Sequence, residues 1–514
     1  MEKNKGKIIG EIKNSKGITL LALAVTIVVL LILTSIGIKL TLGNNGIIGE
    51  AKNAKEQAEI DEEKGIVKRA TTVSLIKSKG SRVEQDTLEK ALNDETGEGK
   101  TEVNDAGDVF EILFTDSDRY YEVDSEGNIS DANKITKDEY AGDITKGGRC
   151  DGSEEKPYEI SCIEDLVILA NRTNGKGNYI DENGEVKDVV AVTQPFKDKN
   201  FILTKTLNFE SKFSYSKSEL KWTYDSENDA YKIDDSSTTT LQEIITDKTG
   251  VGFVPIGPDT GNSSKMFWGN LEGQNNMIKN LYENRTESAG FFGALCRSTI
   301  KNLRLSGNIK ASSVGVFSYR ASGGEFYNCS NLVNIEADRA SGFASEVYGN
   351  ITLINCINKG NDMSGGLIRW DDVSGTTTIV NCYNSGTIKG SESTSSSYNY
   401  ASGIMGCSYS SGTRNIINTC SLGKITNYGN NFYYAYGGAT VDLTNCFYPS
   451  SMTKNNSNIE VNEGSISFDD SNVQEVVNTL NAYVKEHKND YEVPLKEWKI
   501  GTVNGEKAPV LIDD

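Results

Sequence analysis

A short motif recurs through the second half of the chain, and it limits the possible folds more than any other feature. Ile278-Lys279-Asn280-Leu281 returns as Ile300-Lys301-Asn302-Leu303. Phe326-Tyr327-Asn328-Cys329, Leu353-Ile354-Asn355-Cys356 and Ile379-Val380-Asn381-Cys382 follow, the cysteines 27 and 26 residues apart. Cys420 comes after a serine-rich insertion at 391–397, and Thr444-Asn445-Cys446-Phe447 closes the set. A second motif interleaves with the first: AGFFG (289–293), VGVFS (314–318), SGFAS (341–345), GGLIR (365–369) and SGIMG (402–406), with YGGAT (436–440) as a weaker last copy. A period of this length marks a stacked structural unit. Each unit holds apolar runs of three to five residues between Gly, Ser and Asn turns, too short for helices of several turns. Short strands stacked on copies of themselves, about 4.8 Å apart, make a parallel β-helix. Its inward side chains then form columns. Cys329, Cys356 and Cys382 are expected as small apolar fillers of one such column, and Asn328, Asn355 and Asn381 as an amide ladder at a corner.

Composition removes several functional classes. The 514 residues contain one histidine, His487, so His-based metal sites, Ser-His-Asp triads and Cys-His dyads are disfavoured. Lys and Arg total 53 against 72 Asp and Glu, a net charge of −19 that offers no general attraction to nucleic acid. Fifty glycines without a G-X-Y period indicate tight turns rather than collagen. Nine cysteines are too sparse for a disulfide scaffold. A column of thiols about 4.8 Å apart cannot converge on one zinc, and no metal or cofactor is expected. Cys150 and Cys162 are candidates for one disulfide, and bridges between adjacent rungs are conceivable.

The N-terminus reads differently. Residues 1–17 carry five lysines and two glutamates, and Ile18 to Ile38 then run uncharged for 21 residues. That run can cross a hydrocarbon core of roughly 30 Å, with the lysines inside. No alanine lies between Val25 and Glu50, so a signal-peptidase site of the A-x-A kind is missing after the run. Lys16-Gly17-Ile18-Thr19-Leu20-Leu21 instead resembles the junction of type IV prepilins and type II secretion pseudopilins. The resemblance implies cleavage by a prepilin peptidase between Gly17 and Ile18, methylation of the new N-terminus, and contact with a pilus or secretion assembly. The family usually has Glu five residues into the mature chain, and here that position is Ala22. Together with NNGIIGEAKNAKEQAEIDEEK, this segment is similar to pilin-like surface proteins of Gram-positive bacteria.

Residues 1–17 are therefore read as a basic leader, 18–42 as the membrane or pilin helix, and 43–145 as a stalk helix with a small helix-plus-hairpin head. Gly43 to Gly49 are expected to break the helix, which resumes over Glu50–Lys77. The head should hold a helix at 82–95 and strands at 109–114 and 120–123. Its acidic turns, Asp116-Ser117-Asp118 and Asp124 to Asn128, fit no EF-hand spacing. Residues 150–450 form the β-helix, irregular over 150–270, and 451–514 a C-terminal α/β cap over its open strand edges. The repeats resemble the GLUG-type repeat of bacterial surface proteins and adhesins, which implies a right-handed parallel β-helix. Lys156-Pro157-Tyr158-Glu159-Ile160, Gly252 to Gly257 and Trp268 to Gly273 carry the resemblance upstream. The fold class is thus mainly β, with an N-terminal α-helix, a small α+β segment and a C-terminal cap.

Three functional classes compete. The first is a non-enzymatic surface protein, bound to the membrane through 18–42, whose β-helix contacts an unidentified glycan or protein ligand. The second is a β-helix enzyme acting on carbohydrate, for which Asp371-Asp372 beside Arg369 and Trp370 is the best catalytic candidate. Adjacent strand residues point to opposite faces, which weakens that pair. The third is a pseudopilin, for which the β-helix is too large an addition. The aromatic runs Tyr398-Asn399-Tyr400 and Phe432-Tyr433-Tyr434 could stack sugars or fill corners. The surface protein is favoured. Mass spectrometry of the chain from membrane and surface fractions should find Ile18 as the first residue. Recovery of most of the protein with residues 1–17 attached would refute the processing.

Overall fold

The structure is a computed structural model that describes residues 47–80, 82–134, 150–181, 184–216, 220–361, 363–390, 401–435 and 438–512. The leader, the 18–42 segment, and with them Gly17, Ile18 and Ala22, lie outside the described residues, as do Tyr398 and Tyr400. Among the described residues no helix is long and apolar enough to cross a membrane. The chain divides into two compact units, the first within Met1–Val103 and Asp108–Ile135.

In the first unit helix α1 spans Ile47–Lys77 and helix α2 spans Gln85–Thr96. Helix α1 starts before the expected Glu50 and runs through Gly49. One glycine costs a helix about 1 kcal/mol, which 31 residues absorb. Leu88, Ala91 and Leu92 on α2 pack with Val67 and Ala70 of α1 against Ile112, Phe114, Tyr121 and Val123. The last four lie on Val109–Phe114 and Arg119–Asp124, which pair antiparallel with Ile112 opposite Tyr121. Thr101–Asp105 and Asn133–Lys134 extend the sheet at either side, which the sequence reading did not include. Arg119, 5% exposed, pairs with Glu63 at 2.8 Å, and Tyr121 donates to the same carboxylate at 2.8 Å. The acidic turn after this hairpin closes on itself. Asp124 accepts from the Glu126 and Asn128 backbone N–H groups and from the Asn128 side chain.

The second unit is a parallel β-solenoid of the right-handed type. Its two main sheets have thirteen and nine strands. Register follows the repeat: Ile300 pairs with Phe326, Phe326 with Leu353, Leu353 with Ile379, Ile379 with Ile416 and Ile416 with Leu443. The column continues upstream through Leu271 and Phe201 to Tyr158, so the irregular 150–270 part already belongs to the stack. Phe317 lies on Phe343 with ring centroids 4.7 Å apart and planes 2° from parallel. Each such buried side chain contributes roughly 1.5–3 kcal/mol. The first rung, Tyr158–Ile160, leads into helix α3 (Ile163–Asn174), which is buried on almost every side within the same core.

Two backbone constraints explain the motifs. The glycines of the second motif sit where neighbouring turns touch: a Cβ on Gly366 would lie 1.9 Å from the Gly403 carbonyl oxygen. Asn302, Asn328, Asn355, Asn381 and Asn418 all have φ between 50° and 55° or just above, the left-handed region that asparagine tolerates better than other side chains. Their amides form the expected ladder. Asn328 donates to Asn302, Asn355 to Asn328, Asn381 to Asn355 and Asn418 to Asn381, each at 2.7–2.8 Å. A second ladder, missed in the sequence, runs through Asn331, Asn358 and Asn384 at 2.7 and 2.6 Å.

Cys329, Cys356 and Cys382 are fully buried, and each Sγ lies 3.2–3.5 Å from a backbone carbonyl oxygen of the preceding turn. Cys420 departs from the expected series. Thr419 follows Asn418 and takes the column position, its hydroxyl accepting from the Cys382 N–H. Cys420 aligns instead with Tyr383 and Phe447 and faces outward. The last copy of the second motif is also displaced. Phe432, fully buried, accepts the Ile404 N–H through its carbonyl oxygen, so 430–433 takes the place expected for 436–440. Cys150 and Cys162 carry free thiols rather than a disulfide. Cys162 is engaged as the N-cap of α3, in a capping box with Asp165.

The C-terminal segment corrects the expected end cap. Ser465–Phe468 adds a last strand to the nine-stranded sheet. Helix α4 (Val473–His487) and the antiparallel hairpin Trp498–Val503 and Glu506–Leu511 then pack along the side of the solenoid. They cover Tyr327, Ile354, Val380, Cys420 and Phe447, outward residues of successive turns. The asparagine ladder holds this brace. Asn381 donates to the Asn355 side chain and the Lys496 carbonyl oxygen, and accepts from Asn418 and from Trp498 Nε1 at 2.6 Å.

Asn381→Ala should therefore lower unfolding stability by about 3 kcal/mol or more, from left-handed strain and orphaned partners. Asn381→Gly, free of the strain, should recover about 1 kcal/mol. Denaturant melts checking both would refute the ladder if each cost under about 0.5 kcal/mol. Alkylation of native protein should label Cys150, the one half-buried thiol, before the other eight.

Candidate functional site

The outer face of the thirteen-stranded sheet carries a cluster of charged and aromatic side chains on consecutive turns. Val347, Asp371 and Ser408 pair in one register row with their side chains inside, all 0% exposed. Strand alternation then turns their neighbours outward. Arg320, Glu346 and Trp370 form one outward row. Tyr348, Asp372 and Tyr409, the residues after the inward row, form the next. Trp370 and Tyr409 stack with centroids 5.1 Å apart at 23°, and Tyr348 and Tyr409 remain 45% and 42% exposed.

Glu346 is the hub. It accepts from Tyr319 Oη at 3.1 Å, Tyr348 Oη at 3.0 Å, Arg320 Nη2 at 2.9 Å and Arg369 Nη2 at 3.2 Å. Arg320 also pairs with Asp259 at 3.2 Å and lies 5.2 Å from the Tyr348 ring centroid. Arg369 Nε donates to Ser345 Oγ at 3.0 Å. Burial pushes Tyr319 up to about 12, with the Glu346 charge adding to it. Burial likewise holds Arg369 below the usual arginine value, opposed by Glu346 and reinforced by the nearby Arg339 charge. A hollow of about 380 Å³ opens here, lined by Arg339, Glu346, Tyr348, Arg369, Trp370 and Asp372 among others. Its chemistry is that of binding: a flat aromatic surface ringed by fixed donors and acceptors.

The sequence candidates for catalysis separate. Asp371 points into the solenoid, where Arg414 Nε lies 2.9 Å from its Oδ2 and both side chains are 0% exposed. Thr377 Oγ1 and the Val373 N–H also donate to Asp371. Burial pushes its carboxyl up to about 6, against the pull of Arg414. Asp372 faces outward and accepts from Ser410 Oγ. The two carboxylates therefore share no site. His487 ends α4, hydrogen-bonded to Asp490 at 2.8 Å. Among the described residues no group of three His, Cys, Asp or Glu side chains is placed to hold a metal ion. Phe432 belongs to the interior column, while Tyr433 and Tyr434 are half-buried.

Of the site, the sequence reading singled out Arg369, Trp370 and Asp372, and missed Arg320, Glu346, Tyr348 and Tyr409. A signal for them exists in the second motif. The third residue beyond Phe317, Phe343 and Leu367 is Arg320, Glu346 and Trp370 in turn, so the motif fixes which residues face out.

No protein-family model matches the chain, and no curated protein matches it. Among solved structures it is similar to a candidate immunoglobulin A1 protease from Bacteroides ovatus, with 17% sequence identity and a TM-score of 0.40, over 71% of this chain and 95% of that one.

Proposed function

We propose that this chain is a non-enzymatic bacterial surface protein whose solenoid presents a glycan-binding face. The observation that carries this reading is the outward array on consecutive turns, where the stacked Trp370 and Tyr409 adjoin the Glu346 hydrogen-bond hub. Aromatic planes match the apolar faces of sugar rings, and fixed carboxylates and guanidinia match their hydroxyls. Turns about 4.8 Å apart repeat such contacts along the axis, so weak contacts add. Residues 18–42 anchor the chain, and processing between Gly17 and Ile18 admits it to a pilus-like or secretion assembly; both rest on the N-terminal sequence. An enzymatic role has less support, because Asp371, the carboxylate adjacent to Asp372 in sequence, is committed to Arg414 inside the solenoid and shares no site with Asp372.

Full-length protein in mild detergent should bind bacterial or host-cell glycans on an array. Trp370→Ala with Tyr409→Ala should weaken binding at least tenfold, as loss of about 1.4 kcal/mol of stacking requires. The circular dichroism spectrum should not change. Unaltered binding by the double variant would refute the site. Depolymerisation of a polysaccharide by the wild type, lost in Asp372→Ala, would refute the non-enzymatic reading.

A further inference from the structure

We propose that the open strand edge at Thr440–Leu443 takes up an extended, basic segment of a partner protein as an added β-strand. The C-terminal brace lies along the side of the solenoid, and none of its strands pairs with the last strands of the thirteen-stranded sheet. Thr440–Thr444 pairs with Thr413–Ile417 on one side and, among the described residues, with no strand on the other. Its even-numbered residues aim their backbone groups at that neighbour. The Thr440 N–H donates to the Gly412 carbonyl oxygen, and the Thr444 carbonyl oxygen accepts from the Asn418 N–H. Alternation then turns the N–H and C=O groups of Val441 and Leu443 to the open side. The adjoining strand Tyr433–Ala435 differs, because Asn462 closes it. The Asn462 side chain accepts from the Phe432 and Tyr433 N–H groups and donates to the Tyr433 carbonyl oxygen. The chain comes back beside Leu443 at Gly464, so the open stretch is Thr440–Leu443. The inward side chains agree with a turn left uncovered. Ile379 and Ile416 are at most 1% exposed, whereas Leu443 in the same column is half-buried.

Unpaired backbone groups at a sheet edge are a template for strand addition, in which backbone hydrogen bonds give affinity and alternate side chains give choice. Charge selects the occupant here. Asp442, Glu460 and Glu463 are exposed on the last turn and, among the described residues, form no ion pair. Residues 429–446 and 459–468 contain no Lys or Arg. Burial raises Tyr433 above the ordinary tyrosine value and the charges of Glu463 and Asp442 add to it, so both carboxylates act at one place. A second copy of the chain fits poorly. Centred two-fold pairing of Thr440–Thr444 sets Asp442 against Asp442, and like charges directly opposite are destabilising. A strand with Lys or Arg beside Asp442 and apolar residues beside Val441 and Leu443 satisfies the charge and the half-buried column together.

The test is titration of the full chain in mild detergent with two labelled peptides. One is acetyl-Thr-Val-Lys-Val-Thr-Lys-amide; the other carries Glu at both Lys positions. The basic peptide should bind about tenfold tighter than the acidic one or better, and weaken on raising salt. In the complex the amides of Val441 and Leu443 should exchange more slowly. Val441→Pro removes an open N–H and keeps the ladder to Thr413–Ile417, a place where an edge strand tolerates proline. Asp442→Lys reverses an exposed charge, and it decides the matter if the proline variant fails to fold. Each should weaken the basic peptide about tenfold or more. Equal binding of the two peptides, binding of neither, or no protection of the two amides would overturn the proposal. Unchanged affinity in either folded variant would overturn the assignment of the edge. Self-association of the free chain that protects the same amides would overturn the choice of partner in favour of a second copy.

Discussion

The solenoid depends on asparagine side chains held in left-handed corners and hydrogen-bonded from turn to turn. A primary amide has two donor hydrogens and an oxygen with two lone pairs. Asn355 uses all four: it donates to Asn328 and to the Pro494 carbonyl oxygen, and accepts from Asn381 and from the Lys496 N–H. Asn381 does the same one turn on. No other uncharged side chain both tolerates that φ and offers this bonding, which is why the residue recurs where the apolar fillers around it vary. The turns are thereby tied to one another, and those of Asn355, Asn381 and Asn418 also to the C-terminal brace. A corner substitution disturbs the stack and the brace together.

This constraint reaches the outer surface. Because the corner fixes where each turn bends, it fixes the register of the strands before it, and hence which residues face out. Arg320, Glu346 and Trp370 come from three turns, yet lie side by side because their turns bend at equivalent points. The alternation that presents Trp370 and Asp372 also sends Asp371 inward to Arg414. A buried pair of this kind adds little net stability, since desolvation offsets attraction, but removing one partner costs about 3–5 kcal/mol. The pair belongs to the interior.

The sequence made the repeat legible because each repeated residue answers a local demand. Glycine stands where turns touch, asparagine where φ is positive, cysteine where the column needs a small filler. These demands give the β-helix, the first amide ladder and the head hairpin at 109–114 and 120–123. Features that depend on packing between distant segments were not legible. Thr419 replaces the cysteine of its turn with a hydroxyl of similar size, which shifts Cys420 outward against all pattern. Open strand edges suggest an end cap, whereas the apolar face of the brace matches outward residues such as Tyr383 and Phe447. The binding face was mostly hidden, since Glu346 and Tyr348 acquire meaning only when stacked beside residues of other turns. The commitment of Cys162 to capping α3 likewise follows from helix geometry rather than from cysteine count.

The central claim is that the ladder couples the brace to the solenoid as one cooperative unit. Hydrogen exchange of the wild-type chain, read by mass spectrometry of its peptides, tests it directly. The account predicts that the amides of α4 and the C-terminal hairpin open with the same free energy as those of 326–336, 351–358 and 376–384. Exchange of the 473–511 amides through a separate opening several kcal/mol less costly would contradict it.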